Sequence, residues 1–312
     1  MEKTAKILVM HPEMQTLFPN KPKRWEFIEA LDDIDRTISE SGATVEVLLS
    51  ASIEKLDKEM LDRLPNLKMI ASISAGFSNV DLDECRARKI SVTNAPGLNS
   101  GDVADVAVTM MTSLLLSLPQ NHQYIMTDQW VTKSGFVRHS IRNMPIGIVG
   151  LGSIGKEVVK RLEPFGVDIK WWGPRQKPEI PYPYFSSLEE LAKQCRGLIV
   201  CCRPDQSTYH LINEKILDQL GSDGVIVNVF RGNVVDQKAL IAYLKAQKIA
   251  GAGLDVFDPE PTNSSTWTDV PNIILSPHQG GATFETLFAQ AQIAQNNIEN
   301  YLDGKPLLTS IF

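Results

Sequence analysis

The run Ile146-Gly-Ile-Val-Gly150-Leu-Gly152-Ser-Ile-Gly155 constrains this chain more than any other stretch. A short apolar, β-branched segment ending at Ile148-Val149 leads into three glycines at G-x-G-x-x-G spacing, and Lys156 to Phe165 then carries Val158, Val159 and Leu162 at helical intervals. The pattern reads strand, tight turn, helix. The three glycines meet separate needs. Gly150 permits the sharp turn, Gly152 lets backbone approach a pyrophosphate, and Gly155 lets helix and strand pack closely. The phosphates would rest on N–H groups at the positive end of the helix. The alternative is a plain surface turn between a core strand and a helix; the flanking strand and helix favour dinucleotide binding.

At 312 residues the chain suits two domains of about 150 residues each. A net charge of −6 and the lack of a long basic run argue against a nucleic-acid partner. The apolar segment Ile7-Leu8-Val9-Met10 is too short for a signal sequence, and no stretch approaches a membrane span. Cys85, Cys195, Cys201 and Cys202 show no C-x-x-C spacing, so they read as reduced thiols of a cytoplasmic protein, with Cys201 and Cys202 in a buried strand and no metal site expected.

Along the chain, strand and helix patterns alternate. Lys6–Met10 reads as a strand, Trp25–Ser41 as an amphipathic helix through Phe27, Ile28, Leu31, Ile34 and Ile38, and Thr44–Leu49, Met69–Ser72 and Ile90–Thr93 as further strands. Gly101–Leu118 reads as a long helix ended by Pro119, followed by a polar stretch holding Trp130 and Phe136. Val167–Trp172, Gly197–Cys202, Gly224–Phe230, Gly251–Val256 and Asn272–Ser276 continue the strands, and Thr283–Leu302 is a last long helix expected to return to the first domain. Such alternation specifies parallel sheets with helical crossovers. Ligands gather outside the carboxyl ends of such strands, where the loops Ser74-Ala75-Gly76-Phe77 and Asn94–Asn99 offer backbone N–H groups suited to a carboxylate.

Three chemically capable residues fall just after strands of the second half: Arg231 in Asn228-Val-Phe-Arg-Gly, Glu260 in Leu254-Asp255-Val-Phe-Asp-Pro-Glu-Pro, and His278 in Ser276-Pro-His-Gln-Gly. Singly, each could be a salt-bridge partner, a solvated turn residue or a loop histidine. Together they occupy the sheet edge along which the dinucleotide must lie.

These motifs, with Asp102-Val-Ala-Asp105 at the start of the long helix, resemble the signatures of the D-isomer-specific 2-hydroxyacid dehydrogenases over almost the whole chain, nearest to the glyoxylate/hydroxypyruvate and hydroxyphenylpyruvate reductase branch. The resemblance implies that His278 exchanges a proton with the substrate oxygen, that Glu260 orients it, and that Arg231 grips the substrate carboxylate and carbonyl. It also implies that the N–H groups of Ala75 and Gly76 complete the carboxylate site and that Asp255 accepts from the nicotinamide carboxamide. The implied cofactor contacts are Gly150, Gly152, Ser153, Ile154, Gly155, Gly173, Arg175, Cys202, Arg203, Val229, Phe230, Asp255 and Gly280. A homodimer formed through the cofactor domain is implied too.

The ribose end of the cofactor can be read from the residues. An acidic side chain gripping the 2′-hydroxyl of NAD belongs roughly twenty residues past the glycines, yet that place holds Trp172-Gly173-Pro-Arg175-Gln-Lys177. The missing carboxylate and the two cations predict a preference for NADPH, with NADH possible if Arg175 only stacks on adenine. The expected architecture is α/β: two doubly wound parallel-sheet domains, with a Rossmann cofactor domain (101–284) inserted in a flavodoxin-like substrate domain (1–100 plus 285–312) and a hinge between them. The expected function is NADPH-dependent reduction of a small 2-oxo acid such as glyoxylate, hydroxypyruvate or an aryl pyruvate to the D-2-hydroxy acid. The alternatives are an NAD-dependent member acting on another substrate class and a non-catalytic dinucleotide-sensing protein.

Overall fold

Strand residues alternate between two apolar layers in both halves of the chain. In the first strand Ile7 and Val9 join one buried cluster while Leu8 joins the other, and Val47 and Leu49 part from Leu48 in the same way. That is the period-two pattern of a sheet covered on both faces. The computed structural model describes residues 4–29, 33–51, 54–77, 79–132 and 137–312, and the chain divides into two units, Met1–Asn99 with Ala282–Phe312, and Ser100–Gly281.

The first unit contains β1 (Ala5–Val9), β2 (Trp25–Glu29), α1 (Ile34–Ser41), β3 (Val47–Ser50), α2 (Lys58–Asp62), β4 (Met69–Ser72), α3 (Leu82–Ala87) and β5 (Ser91–Thr93). Its five strands are parallel in the order β2-β1-β3-β4-β5. Asp33, Asp57 and Asp81 cap the three helices by accepting the N–H groups of Arg36, Met60 and Glu84. The chain's last helix, Phe284–Leu302, lays Ala291, Ala294, Ile298 and Leu302 on the face formed by Ile7, Val47 and Met69. Arg24 fixes it further through Glu299 and Asp303, each at 2.8 Å.

One sequence expectation fails here. Trp25–Ser41 is not a single helix: Trp25–Glu29 pairs with β1 as an edge strand, and the helix begins only after Asp33. Phe27 and Ile28 fit helical spacing, but Trp25 and Phe27 lie on one face of a strand and pack with Phe18 in an aromatic cluster, centroids 5.7–6.3 Å apart. Leu31, a member of that helical stripe, lies outside the described residues, as does Phe136.

The second unit contains α4 (Ser100–Leu115), α5 (Leu118–Met126), α6 (Gln129–Thr132), β6 (Pro145–Val149), α7 (Ser153–Leu162), β7 (Asp168–Trp172), β8 (Tyr184–Phe185), α8 (Leu188–Lys193), β9 (Gly197–Val200), α9 (Glu214–Leu220), β10 (Val225–Asn228), α10 (Gln237–Lys245), β11 (Gly251–Leu254) and β12 (Ile273–Leu275). The final helix is α11. Seven parallel strands run β12-β11-β10-β9-β6-β7-β8, so the winding reverses between β6 and β9. The short edge strand β8 is not among those expected from the sequence pattern. Helix α4 lies against the sheet where glycines make room: a Cβ on Gly197 or Gly253 would stand 2.7 Å from Met111 Sδ or 2.9 Å from Met110 Cβ. Pro119 does not end the long helix, which stops at Leu115. Ser117 turns left-handed (φ 54°) and Pro119 occupies the first turn of α5, where its missing N–H is no loss. Cys201 and Cys202 are buried but lie just beyond β9 and outside the strand. Among the described residues no single helix is long and apolar enough to cross a membrane.

Candidate active site

The glycine turn joins β6 to α7 at the reversal of strand order, where open parallel sheets leave a crevice. Gly150 has φ +94°, and a Cβ there would stand 2.6 Å from the Cys202 Cα at the end of β9. A Cβ on Gly155 would lie 2.3 Å from the Gly150 carbonyl oxygen, so helix and turn can approach only because residue 155 is glycine. At Gly152 a Cβ would meet nothing within 4 Å. The same residue is the N-cap of α7, and no side chain caps the helix. Open space at an uncapped helix start fits the pyrophosphate of a dinucleotide, with Ser153 and Ile154 supplying the following amides.

The end of β7, where the sequence spacing places the ribose, carries positive charge. Arg175 is exposed, while Lys177 reaches back so that its ammonium donates to the Leu151 carbonyl at 2.6 Å, which holds a cation against the glycine turn. Arg203, also exposed, follows β9. Gly173 is buried, and the Tyr184 hydroxyl from β8 donates to its carbonyl at 3.0 Å. Burial pushes the Cys202 thiol up to about 12, so this residue contributes its backbone to the turn and no thiolate.

On the same edge Arg231, Glu260 and His278 follow β10, β11 and β12. His278 Nδ1 and Glu260 Oε2 stand 2.7 Å apart, and Glu260 Oε1 accepts the Phe257 N–H at 2.8 Å. Burial works against the charge of Glu260, but the His278 hydrogen bond, the Phe257 N–H and the cationic charges of His278 and Arg231 outweigh it and hold the carboxyl below its ordinary value. Arg231 is partly buried, which lowers its guanidinium from the usual value while the nearby Glu260 charge opposes the change. Its Nη1 donates to the Phe230 carbonyl at 2.6 Å. Both members of the His278–Glu260 pair are more than a third exposed, so the pair adds little stability; what it fixes is the orientation of the imidazole.

Three further residues build this arrangement, in roles that the sequence pattern does not mark. Asn228 clamps the loop after β10, its amide donating to the Arg231 carbonyl at 2.8 Å and its oxygen accepting the Phe230 N–H at 3.2 Å. Gly232 brings that loop onto the next one: a Cβ there would fall 1.9 Å from the Phe257 carbonyl oxygen. Asp255, nearly fully buried, accepts the Gln279 and Gly280 N–H groups at 3.0 and 2.9 Å, pinning the loop in which His278 takes φ +54°. Gly232 and Asp255 act on backbone more than twenty residues away, which spacing alone does not display.

Two predicted residues belong to the first unit. Ala75 and Gly76 follow β4; the Asn94 amide donates to the Ala75 carbonyl at 2.7 Å and the Ser74 hydroxyl to the Gly76 carbonyl at 2.9 Å. Phe77 packs against the apolar layer beneath the sheet, and Leu98 is exposed.

An open parallel sheet whose glycine turn and titratable residues share one edge defines a class, the dinucleotide-dependent α/β oxidoreductases. Residues 108–280 match the family model described as the NAD-binding domain of D-isomer specific 2-hydroxyacid dehydrogenases, and the chain belongs to that family. It is therefore an NAD(P)-dependent dehydrogenase of the 2-oxo/2-hydroxy acid type. The chain is 39% identical over 254 residues to a glyoxylate/hydroxypyruvate reductase of Arabidopsis thaliana, covering 81% of this chain and 79% of that one. It is 35% identical to a hydroxyphenylpyruvate reductase of Plectranthus scutellarioides, covering 82% of each chain. An NADPH-dependent glyoxylate/hydroxypyruvate reductase of Sinorhizobium meliloti, solved with NADP and malonate, superposes with a TM-score of 0.84 at 31% identity, covering 99% of this chain and 97% of that one.

Proposed function

We propose that this chain is an NADPH-preferring reductase that converts a small 2-oxo acid of the glyoxylate, hydroxypyruvate or aryl pyruvate kind to the D-2-hydroxy acid. The observation that carries the reading is the 2.7 Å contact of His278 Nδ1 with Glu260 on the sheet edge that bears the glycine turn. The dinucleotide, when bound along that edge, supplies the hydride. His278 gives a proton to the substrate's carbonyl oxygen through Nε2, while Glu260 holds the ring by the other nitrogen. Arg231 presents a planar fork of donors to the substrate carboxylate and carbonyl, a geometry that lysine cannot supply. The N–H groups of Ala75 and Gly76 are proposed as the first unit's contribution to the carboxylate, and Asp255 as an acceptor for the carboxamide in addition to its loop contacts. The preference for NADPH is supported by Arg175, Lys177 and Arg203 and by the lack of a carboxylate from Gly173 to Lys177. The relatives' printed names support the substrate class.

A homodimer is proposed as the working form, supported by Leu118, Ile125, Met126 and Trp130, all exposed on α5 and α6, and the cytoplasm as its place. Initial rates with NADPH and NADH in parallel, across glyoxylate, hydroxypyruvate, pyruvate and hydroxyphenylpyruvate, test the reading. Turnover strongly favouring NADPH is the expected result; dinucleotide binding without turnover of any 2-oxo acid would overturn it.

A further inference from the structure

The guanidinium of Arg231 is partly buried, and Glu260 acts on it through charge without accepting a hydrogen bond from it. Among the described residues its one hydrogen bond runs from Nη1 to the Phe230 carbonyl at 2.6 Å. A second contact is made by the same neighbour: Arg231 Cζ lies over the Phe230 ring, 5.4 Å from its centroid. That distance is inside the reach of about 6 Å over which an aromatic face attracts a cation. One residue thus holds the guanidinium twice, by its carbonyl and by its ring.

Neighbours in sequence do not meet in this way by default. Residue 231 is extended, with φ −148° and ψ 140°, and in extended backbone successive side chains point to opposite faces. Arg231 therefore reaches the Phe230 ring only by folding its side chain back over the preceding residue. Asn228 fixes the backbone of both, accepting the Phe230 N–H at 3.2 Å and donating to the Arg231 carbonyl at 2.8 Å. The Phe230 ring is itself half-buried, so its face is partly sheltered from water where the cation meets it.

We infer that Phe230 is a positioning residue for the substrate, whose ring face and carbonyl hold the Arg231 fork in place before the 2-oxo acid arrives. The inference rests on the reductase reading given above. A guanidinium carries five N–H donors in one plane, and a single bond to the Phe230 carbonyl leaves the others for the substrate carboxylate and carbonyl. Holding the fork in advance removes part of the ordering cost of binding. Every 2-oxo acid presents the same two groups to Arg231, so the gain is common to all of them whatever their side chain. A residue that served only as a cofactor contact would act on NADPH instead.

The test measures KM and kcat for glyoxylate and hydroxyphenylpyruvate, and NADPH affinity by fluorescence titration, in the full chain and in its Phe230→Leu, Phe230→Met and Phe230→Tyr variants. A further form carries a trifluorinated phenylalanine at position 230. Fluorine withdraws negative charge from the ring face and hardly alters its shape, so it separates attraction to the cation from packing. KM and affinity do not depend on how much of a variant has folded. Phe230→Leu and Phe230→Met are expected to raise KM about 10-fold for both acids, the size of a partly desolvated cation–π contact, with kcat changed less and NADPH affinity at the wild-type level. Phe230→Tyr keeps the aromatic face and is expected to keep KM within about 2-fold of wild type, and the trifluorinated ring to raise KM partway. An unchanged KM in the leucine and methionine variants, a rise confined to one acid, a loss of NADPH affinity in its place, or a wild-type KM with the trifluorinated ring would each overturn the inference alone. A wild type inactive on both acids would overturn the reductase reading and the inference with it.

Discussion

Replacing Gly232 by alanine leaves Arg231, Glu260 and His278 untouched and should still disable the enzyme. The added Cβ would stand 1.9 Å from the Phe257 carbonyl oxygen, where ordinary contact begins near 3.4 Å, so the loops after β10 and β11 must separate by 3.4 − 1.9 = 1.5 Å. Neither side of the clash can yield cheaply, because both are backbone: Asn228 clamps one loop, and the Phe257 N–H holds Glu260 in the other. Arg231 rides on the first loop and Glu260 on the second, so the displacement opens the site between them. A misplacement of about 1 Å in a catalytic array costs about 100-fold in rate, and overpacking of this kind costs about 1–3 kcal/mol of stability. The assay is kcat/KM for hydroxypyruvate beside thermal unfolding and NADPH affinity. The expectation is a folded protein with kcat/KM down about 100-fold and dinucleotide affinity near that of the wild type, since the glycine turn lies after β6. A folded Gly232→Ala variant with wild-type kcat/KM would refute the reasoning.

Arg175→Ala should raise KM for NADPH about 10-fold, the worth of one charge-assisted contact, and leave KM for NADH nearly unchanged; equal effects on both cofactors would show that Arg175 does not read the phosphate. Glu260 is held below the ordinary carboxylate value, so the stability it contributes is fully present above pH of about 4.3 and is lost as pH falls through its folded value. The difference in unfolding temperature between wild type and Glu260→Gln should therefore shrink as pH falls below that range. A difference that grows there would contradict the sign. For the dimer, Trp130→Glu should shift the gel-filtration peak toward monomer at micromolar concentration; a wild type already monomeric would refute the interface.

The parts of this protein that can be read from sequence are those whose physics is local. The G-x-G-x-x-G turn announces itself because strand, glycines and helix are contiguous, and the structure gives Gly150 its positive φ and Gly155 its close approach. Arg231, Glu260 and His278 are legible as a group because each lies just past a strand, and in a parallel sheet all such ends share one edge. What stays hidden depends on contacts across the fold. Asp255 is singled out in the sequence only by the family resemblance, as a cofactor contact, and its two bonds to the His278 loop do not show there. Gly232 looks like a turn glycine until Phe257 is found against it. The strand Trp25–Glu29 imitates a helix in sequence because Phe27 and Ile28 stand at helical intervals from Ile34 and Ile38 of the true helix, and only pairing with β1 decides the matter.

The proposed chemistry depends on His278 as the proton donor held by Glu260, and a single variant tests it most directly. His278→Ala should lower kcat for 2-oxo acid reduction by about 100- to 10,000-fold, the range for loss of a general acid, while NADPH binding, followed by fluorescence titration, stays close to that of the wild type because the glycine turn is intact. Turnover at the wild-type rate in His278→Ala would contradict that role.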